Sequence, residues 1–134
     1  MQYNLKVMIV DDDQHVRNYM AILVKKIVLR SVLLADDGDA AVEMYKEQRP
    51  DLVLMDVNMP KTNGLQALEK IKRINSDAII IMITSLATRS IVEDAADLGA
   101  SHFIRKDTPK DEVIEIIKEI IEESLVSKKK QPSK

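Results

Sequence analysis

The chain has 134 residues, 46% of them hydrophobic and 31% charged, with a formal net charge of -2. That length supports one domain with a real core, and the near-neutral charge lacks the basic excess of a nucleic-acid-binding body. With no cysteine, disulfide frameworks, thiolate metal sites and cysteine nucleophiles are excluded, which fits a reducing cytoplasm.

Residues 1–4 lead directly into a strand-like run, so no signal peptide is expected before the fold. Val7, Met8, Ile9 and Val10 are continuously apolar, as strands buried on both faces are. Val16, Tyr19, Met20, Leu23 and Ile27 then follow at helical spacing. The alternation repeats four more times. Strand-like runs cover 32–35, 52–55, 79–83 and 103–104. Helical patterns carry Ala40, Ala41, Met44 and Tyr45; Leu65, Leu68, Ile71 and Ile74; Ile91, Val92, Ala95 and Leu98; and a last stretch from about Asp111 to Leu125. The longest apolar run, 78–83, is of strand length, too short to cross a bilayer. Five alternating strands and helices predict a doubly wound α/β domain with a five-stranded parallel sheet.

The punctuation agrees with this division. Asn63-Gly64 marks the turn into the third helix, and Gly99 stands where a left-handed cap should close the fourth. Thr108-Pro109 reads as an N-cap followed by proline at the first helical position. Asp13, Asp36, Asp37 and Asp39 read as caps or turn residues around helix starts. His15 and His102 have no partner pattern, which favours surface or structural roles. The methionines read mostly as core filler. Residues 1–126 form the expected domain, and 127–134 a polar basic tail or linker stub.

Three acids lie just past strand ends: Asp11 and Asp12 after the first strand, Asp56 after the third. Ligands of open parallel sheets bind beyond the carboxyl ends of strands, at the point where strand order reverses. With the order 2-1-3-4-5, strands one and three are neighbours there and the three carboxylates converge. Crowded carboxylates resist joint ionisation, and a hard divalent cation such as Mg²⁺ relieves them. Thr84 ends the fourth strand with a hydroxyl and Lys106 the fifth with an ammonium. A carboxylate nucleophile, a metal, a hydroxyl and a fixed cation suit phosphoryl transfer, with Asp56 the natural acceptor.

At this point the sequence resembles a known family. Val10-Asp11-Asp12-Asp13, the run Leu54-Met55-Asp56-Val57-Asn58-Met59-Pro60 with Gly64, Ile83-Thr84-Ser85, and Ile104-Arg105-Lys106 are similar to the receiver domain of two-component response regulators, over roughly residues 5 to 125. The resemblance implies a flavodoxin-like, chemotaxis-type receiver fold. It implies that Asp11 and Asp12 hold Mg²⁺ with Asp56 and the backbone carbonyl of Asn58. Asp56 would take its phosphoryl group from a sensor histidine kinase or a histidine phosphotransfer protein. Thr84 would bond a phosphoryl oxygen, Lys106 would form the ion pair, and Phe103 would swing inward as Thr84 moves. The output would be a downstream protein target, or an effector domain of a longer regulator. The domain would be a switch rather than an enzyme, catalysing only its own phosphoryl transfer and slow dephosphorylation.

Two departures bear on this. Asp107 follows Lys106 where many receivers have a proline, so the isomer of that peptide is open. Leu86, two residues after Thr84, occupies a tuning position with no group to orient an attacking water, which predicts a long-lived phosphoryl group. Leu86→Glu is therefore expected to lose phosphate faster than the wild type when phosphoprotein decay is followed; an unchanged lifetime would sink the idea.

Two other readings remain. A pseudo-receiver would use the fold as a binding module without phosphorylation. A haloacid-dehalogenase-type hydrolase wants a second acid two residues after its nucleophile, where this chain has Asn58. The last helix has an apolar arc approaching half its circumference, from Val113, Ile114, Ile116, Ile117, Ile120, Ile121 and Leu125. Such an arc marks either a deeply seated helix or a docking face, with the fourth helix and fifth strand, for a partner or a second copy. No membrane contact and no direct nucleic-acid binding are expected.

Overall fold

A computed structural model describes residues 2–59, 61–85 and 87–126. Leu86 and the tail expected over 127–134 lie outside those residues. Strands β1 (Val7–Val10), β2 (Leu33–Ala35), β3 (Leu52–Asp56), β4 (Ile80–Thr84) and β5 (His102–Arg105) alternate with helices α1 (Gln14–Lys25), α2 (Gly38–Gln48), α3 (Gly64–Ile74), α4 (Arg89–Asp97) and α5 (Lys110–Ile121). The strands form one sheet in the order β2-β1-β3-β4-β5, and every pairing is parallel. This is the doubly wound, flavodoxin-like architecture the sequence predicts.

The continuous apolar strands are explained by helices on both faces. Val7, Ile9, Leu52, Leu54, Ile81, Ile83 and Ile104 pack in one cluster with side chains of α1 and α5. Their alternates Met8, Val10, Val53, Met55, Ile80 and Met82 pack in a second cluster with α2, α3 and α4. Each fully buried Ile or Leu contributes about 1.5–3 kcal/mol. Short β2 is the exception: at the sheet edge, Leu34 stays 42% exposed. Of the methionines, Met8, Met20, Met55, Met59 and Met82 are buried.

Helix ends match the predicted punctuation in most places. The Asp13 side chain accepts from the backbone N–H groups of His15 and Val16, and Asp37 accepts from Ala40. Asn63 and Gln66 form a reciprocal capping box at the start of α3. Gly99 has φ 99°, and its N–H bonds Ala96 while that of Ala100 bonds Ala95, the paired closure of a left-handed cap. Thr108 is a correction. The N-cap of α5 is Pro109, whose ψ of 144° is extended, and no side chain caps this end. The Pro109 carbonyl accepts from Glu112 and Val113, so the helix starts one residue later than read.

The last helix is deeply seated along much of its apolar arc. Val113, Ile117, Ile120 and Ile121 are buried, and Ile114, Ile116 and Leu125 pack against the same cluster. A single π turn, Glu122–Val126, continues it. By contrast α4 buries only Ala95 among its residues, leaving Val92 exposed.

Candidate functional site

The sheet register brings the acids together. β1 pairs directly with β3, matching Val10 to Met55, so Asp11 and Asp56 leave adjacent strands at the same level. Asp11 is 3% and Asp56 4% exposed, whereas Asp12 is exposed. One carboxylate oxygen from each of Asp11, Asp12 and Asp56 can be chosen so that all lie within 4.8 Å of one another.

Asp11 is fixed on several sides. One carboxylate oxygen accepts the Asp13 N–H at 2.9 Å, and its carbonyl accepts from the Arg17 guanidinium at 2.8 Å. Its other oxygen lies 2.9 Å from the Lys106 ammonium, which also stands 3.4 Å from Asp56 Oδ1. Lys106 is carried to this place by β5, and its backbone N–H bonds the Thr84 carbonyl at 2.8 Å. Thr84 itself is fully buried at the end of β4.

Two of the three clustered carboxylates thus pair with one ammonium, and Asp12 lies close beside them. Burial pushes the Asp56 carboxyl up to about 6, and the Asp11 charge adds to this while Lys106 opposes it. For Lys106, burial works to lower the pKa. Hydrogen bonds and charge from Asp11 and Asp56 outweigh it and hold the ammonium above its ordinary range. The donor set fits a hard divalent cation: oxygen-only, convergent, rich in negative charge, and open to water on the Asp12 side.

The remaining sequence candidates lie around this centre. Asn58 is exposed in the loop leaving β3. Phe103 is half-buried on β5, opposite Met82, and packs in the α2–α3–α4 cluster. Along β4, Thr84 alternates onto the same face as Met82, so Thr84 and Phe103 share the α4 side of the sheet. A cleft of about 170 Å³ lined by Val92, Ala95, Ala96 and Phe103 opens beside it. His15 and His102 are exposed and lie outside the acidic cluster. Among the described residues no peptide is cis, so the Lys106–Asp107 bond is trans.

Two features escaped the sequence reading. Asp39, read as a cap, instead accepts from the Thr62 hydroxyl, and Gly38 sits against the Thr62 backbone. Both join elements 23 or more residues apart, and only the pairing of Asp and Gly at a helix start hinted at them.

Comparison with known proteins gives the same picture. The profile of the response regulator receiver domain matches residues 7–118. The chain is 40% identical over 116 residues to the chemotaxis protein CheY of Bacillus subtilis, covering 84% of this chain and 93% of that protein. It is 37% identical to the chemotaxis protein CheY of Halobacterium salinarum, covering 87% and 96%. Its fold superposes with a TM-score of 0.84 and 28% identity on a chain of the CheX–CheY–BeF₃–Mg²⁺ complex of Borrelia burgdorferi, covering 89% of this chain and 90% of that one.

Proposed function

Because the chain belongs to the response regulator receiver domain family, we propose that it is a phosphorylation-dependent switch of a two-component system, with Asp56 the acceptor. The observation that carries this is the Lys106 ammonium, held 2.9 Å from Asp11 and 3.4 Å from Asp56 beside the exposed Asp12. Asp11, Asp12, Asp56 and the Asn58 carbonyl would hold Mg²⁺; the structural relative solved as a complex with BeF₃ and Mg²⁺ supports this choice of metal. When bound, the ion neutralises the carboxylates and charge on the transferring phosphoryl oxygens.

Asp56, mostly ionised at neutral pH with its pKa about 6, is a competent nucleophile. Its oxygen forms the new P–O bond as the P–N bond of a partner's phosphohistidine breaks, and the departing imidazole keeps the electron pair. Lys106 then pairs with the charge gathered on the phosphoryl group, and Thr84 donates its hydroxyl to a phosphoryl oxygen. Because Thr84 and Phe103 share the α4 face, movement of Thr84 toward the phosphate opens space for Phe103 to turn in, re-shaping the thinly seated α4. A few kcal/mol of difference between two existing states is enough for such a switch.

The donor would be a histidine kinase or phosphotransfer protein in the cytoplasm. The output would pass to a protein target or an attached effector. The domain would be no enzyme beyond its own phosphoryl transfer and slow dephosphorylation.

Incubation with acetyl phosphate and Mg²⁺, followed by intact mass, tests this reading. We expect an adduct that requires Mg²⁺ and is discharged by hydroxylamine, as an acyl phosphate is. An adduct that forms in EDTA or resists hydroxylamine would overturn it. Absence of both adduct and Mg²⁺ binding would turn the reading to a pseudo-receiver that binds partners without phosphorylation.

A further inference from the structure

The segment that leads from the acceptor strand into α3 is held at its far end by β3 and in its middle by α2. At its far end the Gly64 N–H bonds the Val57 carbonyl at 2.8 Å, and a Cβ on Gly64 would strike the Asp56 carbonyl. In its middle, a Cβ on Gly38 would strike the Thr62 carbonyl, so the start of α2 lies directly on the loop backbone. There the Thr62 hydroxyl donates to Asp39, and Lys61 stands 3.8 Å from Asp37. Between these anchors Lys61 adopts φ 61°, a left-handed conformation that costs a residue with a side chain about 1 kcal/mol. Strain of this kind persists only where neighbours over-determine the backbone. The Lys61–Asp37 pair is long, at 3.8 Å, with Lys61 71% exposed, and does little toward this. The Thr62–Asp39 bond also lies at the surface, but the close approach of Gly38 to the Thr62 backbone backs it and makes it the better anchor.

We propose that Asp39 and Thr62 are positioning residues that clamp residues 61–63 from α2 and, through the Gly64–Val57 bond, hold the backbone leaving Asp56 as metal binding there requires. This rests on the Mg²⁺ reading above. Neither residue touches the three clustered carboxylates; both act through the loop backbone, as outer partners of metal ligands do.

The test uses four variants of the full chain. Thr62→Val keeps the shape and removes the donor, and Asp39→Ala removes the acceptor. Thr62→Ser and Asp39→Asn keep donor and acceptor. By calorimetry, the Val and Ala variants are expected to bind Mg²⁺ about tenfold more weakly, and the Ser and Asn variants to stay close to the wild type. In metal-free protein, hydrogen exchange at the Gly64 amide should quicken in the Val and Ala variants alone. Should Thr62→Val fail to fold, Asp39→Ala carries the same comparison. Wild-type Mg²⁺ affinity in both disrupted variants would overturn the clamp. If the wild type itself bound no Mg²⁺, the underlying reading would fail, and unchanged Gly64 exchange in the disrupted variants would then dispose of the clamp separately.

Discussion

Asp56→Asn is expected to take up no phosphoryl group from acetyl phosphate and, without metal, to be more stable than the wild type at pH 7. The first effect follows from loss of the only carboxylate in the cluster that ends β3. The second follows from the strain of ionising that carboxylate in place. Burial first, then the Asp11 charge, raise its pKa from 3.8 to about 6, against the opposing pull of Lys106. The folded state therefore holds the Asp56 proton more tightly than the unfolded chain does. This penalty is fully present above pH 6, and it is relieved as pH falls through 6 toward 4, where the carboxyl is neutral in both states. A shift of that size corresponds to about 3 kcal/mol. Lys106 stands 3.4 Å away and Asp12 beside it is exposed, so screening trims the penalty and about 1–2 kcal/mol is expected. Urea denaturation in EDTA between pH 5 and 8 measures it: the variant's advantage should be largest at pH 7–8 and shrink toward pH 5. With saturating Mg²⁺ the wild type should regain stability and the variant much less. A variant no more stable than the wild type at pH 7.5 would mean that Asp56 carries no such penalty.

The same crowding explains why so much of the site is legible in the sequence. In a parallel sheet, residues just past the strand ends must meet at one edge, so Asp11, Asp56, Thr84 and Lys106 can be grouped once the apolar runs are recognised as strands. Covering both faces with helices makes those runs continuous and easy to find. Legibility fails where an outcome depends on how closely two backbones approach. Gly38, set between Asp37 and Asp39, shows nothing in sequence of the Thr62 backbone that lies against it. Asp39 and Asp37 are the same residue type two positions apart, yet Asp37 caps α2 while Asp39 reaches to Thr62. Thr108 has the right chemistry for a cap, but Pro109 remains extended and takes the capping position itself. The width of the α5 stripe admits two meanings in sequence, and the packing of Ile114, Ile116 and Leu125 against the core, each still partly exposed, accounts for that width by seating.

Gly64→Ala is expected to cost about 2–3 kcal/mol of stability and to slow phosphoryl uptake by about a hundredfold. Alanine is the better helix former, by about 1 kcal/mol in a helix interior, so propensity alone predicts the opposite sign. Sterics decide it: the added Cβ meets the Asp56 carbonyl and the Val57 Cα, both backbone atoms with no rotamer to escape through. Either α3 withdraws, breaking the 2.8 Å bond from the Gly64 N–H to the Val57 carbonyl, or the end of β3 shifts and takes Asp56 with it. The second movement displaces the acceptor from Lys106, and a displacement near 1 Å is enough for a rate loss of that size. Gly99→Ala is the control. It places alanine at φ 99° against the flexible end of Lys72, far from the acidic cluster, so it should lose about 1 kcal/mol while taking up phosphate at the wild-type rate. Urea midpoints and initial rates of adduct formation for both variants separate the two effects. If Gly64→Ala lost stability yet kept the wild-type rate, α3 would have given way and the end of β3 held. The position of Asp56 would then be set by its strand neighbours and Lys106, with the close approach of α3 serving stability alone.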